Sequence, residues 1–427
     1  MIRKLVLSGR ALQLKLGLVL NQVRKRAGPV LRRLFGSPNI SPSVNPPKAR
    51  DWHKASRLAS QCCDEVHANR HRAALQSLEQ ALNAAGVSRW TPVWVETLEQ
   101  ILLLSGPPEA SPVPPNLAAI LDRVTEHVPK NKLLVGGTGW SGSGAVFDYL
   151  REFEQVAPIK GEFRHLEGRY GIWTLLFTDG QNSPDRPALL DFFFYCLLGL
   201  SVPSSWSEES MLKSARIFLK ADDRGVYAKA CRDLTTVLVA FSAGKVESRM
   251  LPLVVEWFVD SMIQSRVARE SRYYLLDNVI HSERVKILRL FRNVHYFAVF
   301  RDPRSQYCSM LRENPRFDGS VEKFVKDYEE RVRKFVSGRT ALKGKAAVYR
   351  LTFEEFVLRA ETRSQIASTL GLETPAANER RYFKPSHSEA NVFLHQHPQY
   401  TVAVEQIAAI LPRYCHGFSR PTGANYV

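Results

Sequence analysis

The sequence predicts an α/β protein: a P-loop-like, mostly parallel sheet flanked by helices, with a helical insert and a helical N-terminal region. Three observations carry this expectation. Short apolar runs at 132–135, 273–276, 294–300 and 346–351 are separated by helical patterns, as in βαβ units of a parallel sheet. The first run enters a glycine-rich turn that opens a helix. The VHYFAVF run at 294–300 ends on Arg301, and Asp302-Pro303 then opens another helix.

From the N-terminus, residues 1–50 hold eleven Lys or Arg and no acid. Leu5, Leu12, Leu16, Leu20 and Val23 fall near helical spacing. Residues 1–35 thus read either as a basic amphipathic helix suited to an anionic membrane surface or as a basic extension. Residues 36–50 form a Pro/Ser-rich linker. Residues 51–104 read as helices with a break near Gly86, and Gly106 to Pro115 is a second, Pro-rich linker. The expected organisation is 1–50 extension and linker, 51–115 helical region, and 116–427 main domain. After the glycine-rich turn, Glu162 to His165 with Leu166 read as the second strand. A stretch over about 180–270 is mostly helical.

Composition narrows the function classes. The formal net charge is +17, and removing the eleven unopposed charges of the first fifty residues leaves +6. That field suits anionic ligands, and no alternation of aromatic and basic residues points to a nucleic-acid partner. The six cysteines form no CxxC and no zinc spacing, which predicts reduced thiols and a cytoplasmic protein, peripheral on the membrane's inner face if residues 1–35 bind lipid. His387, His395 and His397 cluster without a Cys or carboxylate partner, so no metal is expected. No run reaches the roughly 18 apolar residues of a membrane helix. The longest, Pro187 to Pro203, contains Asp191 and reads as a buried helix. Arg10 and Lys15 interrupt the first apolar stretch, so no secretory signal is expected.

Residues 133–150, LLVGGTGWSGSGAVFDYL, place five glycines between strand and helix. Such glycines let the backbone fold tightly, and successive N–H groups form an anion-binding nest at a helix N-terminus. Thr138, Ser141 and Ser143 add hydroxyls. The loop is not a Walker A loop. Gly139 and Gly144 have the spacing, but Ala145 and Val146 replace the Lys and the Ser/Thr that would reach the nucleotide's phosphates and its Mg²⁺.

Arg301 follows the VHYFAVF strand at its carboxyl end, where open α/β sheets bind ligands. Asp302 is a plausible N-cap and Pro303 a fitting first helical residue. Ser309 lies eight residues after Arg301, so a guanidinium and a hydroxyl can converge on one phosphate.

Together these two motifs resemble sulfotransferases that use 3′-phosphoadenosine 5′-phosphosulfate (PAPS). The resemblance covers roughly residues 130–412. It implies that Thr138, Gly139, Trp140, Ser141, Gly142, Ser143, Gly144 and Ala145 hold the 5′-phosphosulfate and that Arg301 and Ser309 hold the 3′-phosphate. The segment 383–391, FKPSHSEAN, is similar to the family's late loop, with Ser388 and Asn391 closing over the nucleotide. One position departs: many members carry Lys or Arg where this chain has Trp140. Lys160, Arg164 and Lys384 are the candidate replacements.

Sulfuryl transfer asks for positioned cations and a base for the acceptor proton, with no metal needed in principle. Glu162, expected at the start of the second strand, is the first candidate base. His165 and His281 are weaker ones. The expected reaction is transfer to a hydroxyl or amine of a small-molecule or glycan acceptor, carbohydrate or lipid-linked. A nucleotide kinase or NTPase of related fold, and a non-catalytic membrane-associated protein, are the competing readings.

Overall fold

The computed structural model describes residues 68–84, 91–102, 114–162, 171–177, 223–267, 269–314, 317–342, 346–373 and 382–417, with single positions in 54–66, at 166, in 188–196 and at 344. Residues 1–50, Lys160's side chain, Arg164, His165 and the stretch 197–222 of the insert lie outside the described residues. Residues 49–427 form one compact unit.

Helices α1 (His71–Ala84), α2 (Thr91–Leu102) and α3 (Leu117–Thr125) precede β1 (Lys132–Gly137). Then come α4 (Ser143–Leu150), β2 (Val156–Glu162), α5 (Ile172–Phe177), α6 (Arg224–Ser242), α7 (Leu251–Gln264) and β3 (Tyr273–Asp277). A 3₁₀ segment (Ser282–Leu290) leads to β4 (Val294–Phe300), α8 (Pro303–Glu313) and α9 (Val321–Ala341). The chain closes with β5 (Ala347–Thr352), α10 (Phe353–Leu358), α11 (Ala360–Leu370), α12 (Pro385–Val392) and α13 (Thr401–Ile410).

The five strands pair in parallel in the order β2-β3-β1-β4-β5. The fold is therefore α/β and P-loop-like, with β1 central. Every residue of β1 is buried, as expected of a parallel strand covered on both faces. The period of two sorts the side chains. Leu134, Tyr274, Leu276, Tyr296 and Ala298 enter one core with α6, α7 and α9. Leu133, Val135, Leu275, Phe297 and Val299 enter a second core with α4, α10 and α11. The helices before the Pro-rich stretch join the first core: Trp94, Leu98 and Ile101 of α2 pack there with Tyr227 and Leu234 of α6.

The second strand differs from the expectation. It runs over Val156–Glu162, so Glu162 ends it and does not begin it. Pro158 and Gly161 punctuate this stretch and hide it from pattern reading. The structure tolerates them because β2 is an edge strand and its register slips between Pro158 and Glu162.

The amino end of β1 is anchored by charge. The fully buried Lys132 Nζ donates to Asp260 Oδ1 at 2.8 Å and to the Lys130 carbonyl at 2.7 Å, with Glu256 at 3.5 Å. His127 and Arg292 complete the cluster on Asp260 and Glu256 at 2.8 and 2.6 Å. Such a cluster is costly to break at one partner, by about 3–5 kcal/mol. It ties α3, β1 and α7 together at the end of the sheet opposite the glycine-rich loop.

Candidate functional site

The loop leaves β1 at Gly137. A Cβ there would stand 1.9 Å from Ser141 Oγ and 2.7 Å from the Val299 carbonyl, so glycine lets the turn fold back onto the strand. Gly139 (φ 77°), Trp140 (φ 48°) and Gly142 (φ 84°) then take left-handed conformations. A bulky residue there is strained and persists only where its surroundings fix it. Three successive carbonyls are fixed by side chains. Arg331 Nη1 of α9 donates to the Thr138 carbonyl at 2.8 Å. Gln306 Nε2 of α8 donates to the Gly139 carbonyl at 2.5 Å and to Thr138 Oγ1 at 3.0 Å. Arg301 Nη1 donates to the Trp140 carbonyl at 3.2 Å.

Gly142 caps α4, and Ser143 begins it. Ser143 Oγ meets Asn278 Oδ1, at the end of β3, at 3.4 Å. Ser141 is 1% exposed, and its hydroxyl has no hydrogen-bond partner among the described residues.

Arg301 stands where the sequence places it, at the carboxyl end of β4. Asp302 caps α8, accepting from the Arg304 N–H at 2.9 Å, with Pro303 in the first turn. Arg301 Nη1 donates to Ser309 Oγ at 2.7 Å, and Nη2 donates to the Asn391 carbonyl. The guanidinium lies 5.0 Å over the Phe353 ring. Burial pushes the Arg301 pKa down to about 10, and its Nε–H has no partner among the described residues. Arg301 is therefore both a cleft residue and a strut joining loop, α8 and α12. At 4% exposure it is largely enclosed by these partners.

A cleft of ≈ 300 Å³ opens beside these groups, at the lower end of ligand-sized cavities. Of the residues singled out from sequence, Trp140, Gly142, Gly144, Ala145, Arg301, Ser309, Ser388 and Asn391 line it. Thr138, Gly139, Ser141 and Ser143 do not. The first three are turned toward α8, α9 and the loop's own interior, and Ser143 toward Asn278. The 383–391 segment is more ordered than a loop, forming the two-turn helix α12 with Pro385 at its start. Of the candidate replacement cations, Lys384 lines the cleft. The backbone of Glu162 pairs with Asp277 of β3, at the loop end of the sheet.

Four groups escaped the sequence reading. Phe353 wedges under Gly142 and Arg301, Gln306 and Arg331 hold the loop's carbonyls, and Tyr382 lines the cleft beneath the Arg151 guanidinium at 3.9 Å. Only Gln306, in the helix after Arg301, carried a local signal. Behind Arg301, Glu354 Oε1 accepts from the Asp302 N–H at 3.0 Å. Burial pushes the Glu354 pKa up to about 7. Burial would also raise Asp302, but its Arg304 partner holds it below the usual value.

No family model and no curated protein matches the chain. Among solved structures it is similar to sulfotransferase STF9 from Mycobacterium avium, with 13% identity, 88% of this chain and 97% of that chain covered, and a TM-score of 0.33. It is also similar to sulfotransferase STF1 from Mycobacterium tuberculosis H37Rv, with 11% identity, 85% and 97% coverage, and a TM-score of 0.31. At those values the likeness adds nothing to the case for function, which rests on the chain's own residues. Among the described residues no helix is long and apolar enough to cross a membrane, and no group of three or more His, Cys, Asp or Glu could hold a metal ion.

Proposed function

We propose that the chain is a sulfotransferase that takes its sulfuryl group from PAPS and delivers it to a hydroxyl or amine acceptor. The observation that carries the reading is the meeting of the glycine loop with Arg301 and Ser309 on one cleft, at the carboxyl end of a parallel sheet. The donor, when bound, supplies an activated sulfuryl group. The residues fit its charge. Arg301 offers an orphaned Nε–H and Ser309 a hydroxyl, the pair suited to a phosphate. The loop offers N–H groups, and Lys384, which lines the same cleft, offers a cation. Ser388 and Asn391 on α12 would close the nucleotide side. Glu162 remains the candidate base, at the end of β2, an edge among the described strands; its side chain lies outside the described residues.

A second reading has one observation in its favour. The apolar β3 ends on Asp277 beside β1, where P-loop NTPases place a Mg²⁺-holding Asp. Against it stands the loop, which has no Lys or Ser/Thr after its last glycine. Thermal-shift titration separates the two. We expect 3′,5′-ADP to stabilise the protein strongly, by about 2.7 kcal/mol at 100 times its Kd, and ADP and AMP to do far less. Equal shifts for ADP and 3′,5′-ADP overturn the PAPS reading. Turnover of ATP with Mg²⁺ establishes the second.

A further inference from the structure

The loop lacks a basic residue of its own at position 140, yet a guanidinium reaches it from elsewhere. α9 packs into the first core with Tyr328, Val332 and Phe335 buried. Tyr328 Oη donates to the Arg301 carbonyl at 3.0 Å. One turn on, at i+3 and so on the same face, Arg331 donates to the Thr138 carbonyl at 2.8 Å. Its Nη1 lies only 3.9 Å from where a Gly139 Cβ would stand.

A trans peptide sets its C=O and the following N–H on opposite sides. Holding the Thr138, Gly139 and Trp140 carbonyls toward α9, α8 and Arg301 therefore turns the N–H groups of Gly139, Trp140 and Ser141 away from those donors. Among the described residues these N–H groups have no acceptor. The loop is thus a set of open donors whose directions are imposed by side chains on other elements. Arg301 and Gln306 each hold several groups of the site. Arg331 is the nearer of the two donors to the first peptide of the turn, at 2.8 Å against 3.4 Å for Gln306 Nε2, and the only charged one of the two.

We propose that Arg331 is a positioning residue for anion binding: through the Thr138 carbonyl it fixes the first loop peptide and, with it, the direction of the N–H groups that follow, among them that of Trp140, whose residue lines the cleft. The proposal deepens the sulfotransferase reading and uses it only for the identity of the anion.

The test uses the full chain with Arg331→Met, which keeps the apolar stem, Arg331→Lys, which keeps charge and one donor, and Arg331→Ala as a second truncation if the Met variant does not fold. Hydrogen–deuterium exchange is followed on a peptide covering 136–145 and on peptides of β3 and β5, and 3′,5′-ADP and inorganic pyrophosphate are titrated calorimetrically. In Arg331→Met, exchange in 136–145 should rise about tenfold while β3 and β5 keep wild-type rates, as expected for loss of one charge-assisted hydrogen bond. Affinity for whichever anion the wild type binds should fall about tenfold, and Arg331→Lys should recover most of both. Wild-type exchange in the loop, or an equal rise in all peptides, overturns the positioning role. If the loop loosens as expected but the wild type binds pyrophosphate and not 3′,5′-ADP, the PAPS reading falls and the role of Arg331 stands. If the wild type binds 3′,5′-ADP and Arg331→Met changes neither exchange nor affinity, the reverse holds.

Discussion

Gly142 gives the sharpest test of how the loop is built. It caps α4 at φ 84°, and a methyl group there would stand 2.2 Å from Phe353 Cδ2 and 2.6 Å from Cε2. Two costs follow for Gly142→Ala. An L-residue in the left-handed region costs roughly 1–2 kcal/mol. Phe353 is itself buried and packed into the second core, so making room costs roughly 1–3 kcal/mol more. The sum is about 2–5 kcal/mol, a large part of the roughly 5–15 kcal/mol that holds a domain together. Gly144, two residues on inside α4, is the control. Its Cβ would meet nothing within 4 Å and its φ is ordinary, so Gly144→Ala should gain up to about 1 kcal/mol from helix propensity. Urea unfolding of the two variants reads the difference, and Gly142→Ala/Phe353→Leu should recover part of the steric share but not the conformational one. Because the Arg301 guanidinium rests on the same ring, Gly142→Ala should also weaken nucleotide binding in what remains folded. A Gly142→Ala protein as stable as Gly144→Ala refutes both the wedge and the left-handed cap.

Three further outcomes are expected. Arg301→Ala should cost nucleotide binding about 1.5–3 kcal/mol and Ser309→Ala about 0.5–1.5 kcal/mol, non-additively because the two groups touch, with calorimetry of the singles and the double as the check. Since Arg301 also holds Trp140 and Asn391, the loss of preference for 3′,5′-ADP over ADP, more than the loss of affinity, reports its contact with a phosphate. Glu354 has a folded pKa of about 7 against an ordinary 4.5, so its carboxyl favours the folded state fully below 4.5 and that contribution disappears as pH rises through 7. With Asp302, Arg301 and His416 unchanged around it, Glu354→Gln should therefore be the more stable protein by about 3 kcal/mol at pH 8 but by under about 1 kcal/mol at pH 5; equal urea midpoints at both pH values would show that the carboxylate is not buried as described. Finally, if residues 1–35 bind anionic lipid, each basic side chain contributing about 1 kcal/mol near the surface, the full chain should co-sediment with phosphatidylserine vesicles at low salt. A chain lacking residues 1–50 should not, and equal sedimentation of the two would rule the idea out.

What the sequence makes legible is what local chemistry specifies. The β1–loop–α4 unit announces itself because apolar run, glycines and helix lie within eighteen residues. The strand ending at Arg301 does so because cap and proline follow at once. Both strand bounds at 294 and 300 are those of the pattern. β2 is obscured by its own proline and glycine, which only an edge position with a register slip can absorb. The partners of the loop are obscured for a different reason. Arg331 lies 193 residues from Thr138 and Phe353 more than 200 from Gly142, and neither has a motif around it. Trp140 is the most instructive position. From the family resemblance it is a missing cation; in the structure it is a strained backbone unit whose carbonyl engages Arg301.

The two borders of the sheet are unequal, and this bears on what the protein can stick to. A bare strand edge invites a strand from another molecule. On β2, Pro158 removes a donor and the slip toward Glu162 bends the ladder out of line. On β5 the exposed Arg350 carries a charge on a strand otherwise only half-buried. Neither border offers the flat, regular row of amide groups that templated pairing requires. The same proline that conceals β2 from pattern reading thus also makes it a poor template for growth by its own kind.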